Sequence, residues 1–142
     1  MAKADVKTKQ NEASVEEFLN ANADEQQRAD SLEVLEMMRR STGQEPKMWG
    51  ASIVGFGFRT VKSPSGREVD WLEIGFSPRK AALTLYGVMN IADRDAMLAK
   101  LGKHKSGGGC LYIKRLSDID HSVLDKMITD SVENIRRDPS KP

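Results

Sequence analysis

One cysteine, two histidines, few aromatics (6%) and a net charge of only +1 leave this chain of 142 residues short of most chemistry, and each shortage excludes something. With Cys110 as the sole thiol there is no internal disulfide and no metal site built from several thiolates, and a reducing compartment fits. His104 and His121 fall in a loop and at a helix start without Cys/His/carboxylate spacing, so no transition-metal site is expected. A charge of +1 argues against a dedicated nucleic-acid binder, since neutralising phosphates takes a clear basic excess. No apolar run approaches the roughly 18 residues of a membrane span. The first residues, MAKADVKTKQNEA, lack the apolar core of a secretory signal, so the expected location is cytoplasmic, away from membranes.

What is present is a globular mixture, 39% hydrophobic and 30% charged, in a length that suits one core. Residues 1 to 12 are polar and aperiodic and read as a disordered terminus; 13–137 read as a single domain and 138–142 as a tail. Ser14 with Glu17, and Asp24 with Gln27, read as capping boxes opening two helices. The second helix is expected to bury Leu32, Leu35 and Met38 and to stop at Gly43 and Pro46.

From Met48 onward the period becomes two. Val54, Phe56 and Phe58 alternate with Gly55, Gly57 and Arg59; Leu72, Ile74 and Phe76 with Trp71, Glu73 and Gly75; Leu83 and Leu85 with Thr84 and Tyr86. KSPSGR (62–67) and Ser77-Pro78-Arg79-Lys80 supply turn chemistry for two hairpins, hence an antiparallel meander. A short helix capped by Asp93 ends at Gly102. A further strand buries Leu111 and Ile113, and a last helix opens at Asp120 with a stripe through Leu124, Ile128 and Val132. The expected class is α+β: an antiparallel sheet of about four to five strands with the N-terminal and C-terminal helices on one face.

Alternation then places Trp71, Glu73, Thr84, Tyr86, Cys110, Tyr112 and Lys114 on the opposite face, with Gly55 and Gly57 leaving room there for a shallow groove. One reading makes this the ordinary wet side of an antiparallel sheet. The other makes its rings an aromatic surface for a ligand or a second subunit. Beside it in sequence, Lys100 to Arg115 holds Lys100, Lys103, Lys105, Lys114 and Arg115 without an acid, and Arg79 and Lys80 lie in a turn able to approach them. Gly107 to Gly109 could offer backbone N–H groups to an anion, or form a solvated lysine loop. It is no Walker loop, because the glycines are followed by neither Lys nor Ser/Thr and lead into a strand. Cys110 near His104 suggests a Cys/His pair, but no Asn or Asp is placed to orient the histidine, and a small strand side chain explains the thiol as well. Asp70 and Glu73 point to opposite faces and make no acid/base pair.

Several ordered segments together, Pro46 to Gly57 (PKMWGASIVGFG), Gly75 to Lys80 (GFSPRK), Leu83 to Tyr86 (LTLY), Leu101 to Lys105 (LGKHK) and Cys110 to Lys114 (CLYIK), resemble the YdhG-like family, domain-of-unknown-function family 1801, over roughly residues 14 to 135. The resemblance implies an α+β fold with an antiparallel sheet and no settled activity or catalytic residue. Some relatives carry the label of frataxin-like iron chaperones. That role needs a clustered acidic surface, whereas the acids here interleave with Arg28, Arg39 and Arg40. The resulting expectation is a non-enzymatic binding module. Trp49, Trp71, Tyr86 and Tyr112 would supply apolar contact, Arg79, Lys80, Lys103, Lys105 and Lys114 would hold a small anionic ligand, and Cys110 would lie among them. The alternatives are a homodimerising or partner-docking protein using the open face, and, behind it, an enzyme using Cys110. No cofactor is implied.

Overall fold

The computed structural model describes residues 10–22, 24–62 and 65–138. Most of the expected disordered terminus, the Ser-Pro step of the first turn and the tail beyond Asp138 lie outside those residues. Among these residues four α-helices, α1 (Val15–Asn20), α2 (Glu25–Thr42), α3 (Arg94–Leu101) and α4 (His121–Arg137), accompany nine strands. The strands are β1 (Gln10–Asn11), β2 (Lys47–Trp49), β3 (Ile53–Phe56), β4 (Arg59–Lys62), β5 (Glu68–Trp71), β6 (Ile74–Pro78), β7 (Leu83–Tyr86), β8 (Lys105–Gly107) and β9 (Cys110–Ile113). Seven form one antiparallel sheet in the order β1-β2-β3-β6-β7-β9-β8, and β4 with β5 forms a separate ribbon. The fold is α+β, with more strands than alternation indicates. Three of the extra strands, β1, β2 and β8, have two or three residues each, too short for a period to register, and β4 and β5 are set apart from β3 and β6 by a break in the ladder. Gln10 and Asn11, assigned from sequence to the disordered terminus, are instead paired with Trp49 and Met48.

Helix starts follow their caps. Ser14 Oγ accepts from the N–H of Glu17, Asp24 Oδ1 from that of Gln27, and Asp120 Oδ1 from those of Ser122 and Val123. Asp93 makes no such bond. Gly43 closes α2 in the left-handed conformation at φ 69°, its N–H on the Arg39 carbonyl. The buried stripe of α2 runs through Gln27, Ser31, Val34, Met38 and Thr42, which turns Leu32 outward at 48% exposure and corrects its expected place inside. α4 buries Leu124, Met127, Ile128, Ser131, Val132 and Ile135. α2 packs on α4 and on β3 and β6, and α3 packs on α4. Between helices and sheet lies one core containing Met38, Val54, Phe56, Ile74, Phe76, Leu83, Leu85, Leu111 and Ile113.

The long hairpin from Ile53 to Pro78 keeps a single register. Phe56 faces Ile74 and Arg59 faces Trp71, so Gly57 and Phe58 stand against Leu72 and Glu73. At those two steps the ladder breaks and the ribbon bends. Gly57 takes φ 74°, a conformation side chains rarely adopt. The bend reverses what alternation expects of three residues. Leu72 joins Trp49 and Ile53 in a small cluster on the sheet face opposite the main core. Phe58, expected inside, is 53% exposed and lies against Trp49. Glu73, expected on the open face, turns to the helices, where Arg136 donates to it from Nε (3.1 Å) and Nη2 (3.0 Å) and also reaches the Thr42 carbonyl at 2.6 Å.

Candidate functional site

The open face divides into a filled half and a barer half. On the filled half, Gly55 and Gly75 face each other across β3 and β6. A Cβ on Gly55 would come within 2.6 Å of Trp49 Nε1 and 2.9 Å of Leu72 Cδ2, and one on Gly75 within 2.6 Å of the Val54 carbonyl. The glycines admit this chain's own side chains, and the expected groove at Gly55 is occupied by Trp49. Trp49 itself is 1% exposed, so it cannot serve as the contact residue that its sequence suggests. Its indole N–H is buried and has no hydrogen-bond partner among the described residues. Over it lie Phe58 and Trp71, with ring centroids at 5.9 and 5.8 Å, and Trp71 continues edge-on to Tyr86 at 6.5 Å. This edge-to-face row is the geometry that aromatic quadrupoles favour.

The barer half consists of β9, β8, the β6–β7 turn and β7, on which Thr84 is buried and Tyr86 half-buried. Register places Thr84, Tyr112 and Lys105 in one row and Tyr86, Cys110 and Gly107 in the next. The aromatic face and the basic segment are therefore neighbours. Arg79 reaches in from the turn, where its Nη2 donates to Tyr86 Oη at 3.3 Å. That bond, followed by the field of the phenol, holds the guanidinium proton more firmly than usual. Tyr112 is also pushed up, first by the neighbouring Cys110 thiol, then by partial burial and a hydrogen bond to that thiol, so it is a neutral phenol at pH 7. The turn is braced from the helix layer, since Gln27, buried on α2, donates from Nε2 to the Arg79 carbonyl at 2.6 Å.

Residues 74–92 and 96–117 contain no acid, and they hold Arg79, Lys80, Lys100, Lys103, Lys105, Lys114 and Arg115. The fold sets these two runs side by side as β6, β7, β9 and β8. Arg79, Lys80, Lys103, Lys105 and Lys114 are exposed and make no ion pair among the described residues. Lys103 is anchored by its backbone N–H to the Asp118 carbonyl at 3.1 Å. Gly108 and Gly109, at φ 58° and 84°, are the two central residues of the β8–β9 turn, which is of type I′. Hairpin geometry therefore accounts for these glycines without an anion. No family model, curated protein or solved structure matches the chain.

The Cys/His arrangement is not formed, because His104 turns Nδ1 to the Gly102 carbonyl at 2.8 Å. His121 places Nδ1 3.2 Å from Glu33 and Nε2 3.0 Å from the Leu116 carbonyl. No group of three or more His, Cys, Asp or Glu able to hold a metal occurs among the described residues, and none of their helices is long and apolar enough to cross a membrane. Two clefts lie away from Arg79, Lys80, Lys103, Lys105 and Lys114. One of about 480 Å³ is lined by residues such as Asn90, Arg94, Asn134 and Arg137, and one of about 650 Å³ by residues such as Lys47, Phe58, Glu73 and Arg136. Sequence reasoning put Phe58 and Glu73 on the wrong sides and did not single out Arg136. The one signal was Gly57, which marks the bend that redirects the first two.

Proposed function

We propose that this chain is a non-enzymatic binding module whose basic half-sheet holds an anionic group. Arg79, Lys80, Lys103, Lys105 and Lys114 supply the charge, and Trp71, Tyr86 and Tyr112 supply apolar contact. The observation that carries this reading is the convergence of two acid-free segments, distant in sequence, on adjacent strands. Uncompensated cations repel one another, and such an arrangement is stabilised when an anion occupies it. Cys110 serves here as a small side chain between two tyrosines. The likeness to the YdhG-like family adds no activity to this reading.

The test is a thermal-shift screen of phosphates, nucleotides and organic acids on the wild type and on Arg79→Ala/Lys105→Ala. An occupant at a hundred times its Kd stabilises by about 2.7 kcal/mol, and the double variant should lose that shift. Silence across the library on the wild type refutes a small anionic ligand.

A second reading, a face that docks a partner protein or a second copy, is favoured by the position of the clefts of about 480 and 650 Å³, both away from these residues. Light scattering at high concentration decides the homodimer form, which a mass of 15.8 kDa excludes.

A further inference from the structure

The outermost strand of the basic half-sheet is β8, and its outer edge, unpaired among the described residues, narrows what the anion can be. Gly107 and Cys110 flank a two-residue turn, so they form a hydrogen-bonded pair of the ladder. Alternation makes Lys105 and Tyr112 the next such pair and turns the N–H and C=O of Ser106 outward, away from β9. All three residues of β8 are exposed. Ser106 and Gly107 are small enough for another backbone to approach, and Lys103 and Lys105 flank the edge within a run, 96–117, that has no acid.

We propose that the anionic group belongs to an extended acidic peptide of another protein, which adds as a further strand along β8; this rests on the anion-binding reading above. Main-chain bonds to Ser106 hold the strand, and its carboxylates meet Lys103 and Lys105. Lysine at a sheet edge is a known deterrent to self-pairing, and two copies joined through β8 would bring like charges together. The same charge selects an acidic strand. A second copy is therefore the occupant that this edge excludes.

The experiment measures fluorescence anisotropy with a labelled peptide of alternating Glu and Thr, on the wild type, Ser106→Pro and Ser106→Ala. Proline removes the outward N–H and leaves the bonds to β9 untouched, and edge strands tolerate it. The expected result is salt-sensitive binding that Ser106→Ala retains and Ser106→Pro weakens about tenfold, the worth of one such bond. Should Ser106→Pro fail to fold, the same peptide N-methylated on alternate residues tests the pairing on the wild type, with the same loss expected. Equal binding by the wild type and a folded Ser106→Pro, or by the plain and methylated peptides, overturns strand addition. So does tighter binding of oligothymidylate of equal charge, which would mark a nucleic-acid surface. Inorganic phosphate and citrate are run alongside. If they shift the melting temperature and the peptide does not bind, this proposal falls and the small-anion reading stands. If the peptide alone binds and shows the Ser106 dependence, the proposal stands without a small ligand, and if nothing binds both fall.

Discussion

Substituting Gly55 by alanine sets two rules against each other. A glycine inside a strand costs roughly 0.5–1 kcal/mol relative to alanine, so propensity alone makes Gly55→Ala stabilising. Its Cβ, however, would stand 2.6 Å from Trp49 Nε1 and 2.9 Å from Leu72 Cδ2. Neither neighbour is free to withdraw, because Trp49 is 1% exposed beneath Phe58 and Trp71, and Leu72 is fully buried. Overpacking of that kind costs about 1–3 kcal/mol. The net expectation is a loss of about 1–2 kcal/mol, read by urea denaturation with tryptophan emission, and a red shift of that emission as the Trp49 indole is displaced toward water. In a Trp49→Leu background most of the obstacle is gone, and the same substitution should become neutral or stabilising. The coupling between the two sites is then about 1–2 kcal/mol. A Gly55→Ala protein as stable as the wild type would refute the account of why the glycine is there.

Three further outcomes follow from the same contacts. Asp120 is held below its usual range, first by the hydroxyl of Ser122 and then by the N–H groups of Val123 and Ser122, so its folded value lies under its unfolded one. The stabilisation is present above about pH 4 and lost as pH falls through the folded value; melting curves of wild type and Asp120→Ala should therefore differ at pH 7 and converge near pH 2. Removing the Phe58 ring as Phe58→Ser should cost about 1 kcal/mol despite its exposure and shift tryptophan emission to the red, because the ring lies against Trp49. At the tip of the β8–β9 turn, Gly108→Asn should be nearly neutral and Gly108→Val should cost about 1–2 kcal/mol by thermal melting, because φ is 58° there and only the asparagine tolerates it.

What sequence makes legible here are features carried by periodicity and by caps. Ser14, Asp24, Asp120 and Gly43 stand where their chemistry puts them, and the stripe of α4 is the one its spacing indicates. The Ile53 to Pro78 hairpin pairs in a register consistent with a turn at 62–67. Alternation fails at the bend because period-two reasoning assumes a continuous pleat, and two residues on each side step out of it at Gly57. Leu72, Phe58 and Glu73 all change sides there. Leu32 fails for a different reason. A helix whose inward face carries Gln27, Ser31 and Thr42 hides its orientation from any count of apolar residues: Gln27 is satisfied by the Arg79 carbonyl that tertiary folding brings to it, Thr42 by the Met38 carbonyl of its own helix, and Ser31 Oγ is buried with no partner among the described residues. For the basic segment, which contains Tyr112, the charge run was readable, but its adjacency to Tyr86 was not, because that depends on β9 pairing with β7.

The two halves of the open face have one physical origin. Where β3 and β6 carry glycines, Trp49 from β2 and Leu72 fill the space and Trp71 and Phe58 of the bent ribbon lie over Trp49, so that half is a second small core. A ribbon of four residues a side, at about 3.3 Å per residue, spans only about 13 Å and cannot reach across every strand of a sheet spaced at about 4.8 Å. Its cover ends at Tyr86, the last ring of the row. Beyond that point no element among the described residues covers β9 and β8 on this face, and the residues there are Cys110, Tyr112 and Lys105 in place of apolar side chains. A fold that merely needed stability would place acids among these cations or continue the apolar cluster. The cations of the uncovered half make no ion pair among the described residues, and under the proposal above they and the outer edge of β8 are the groups that would meet an anionic strand.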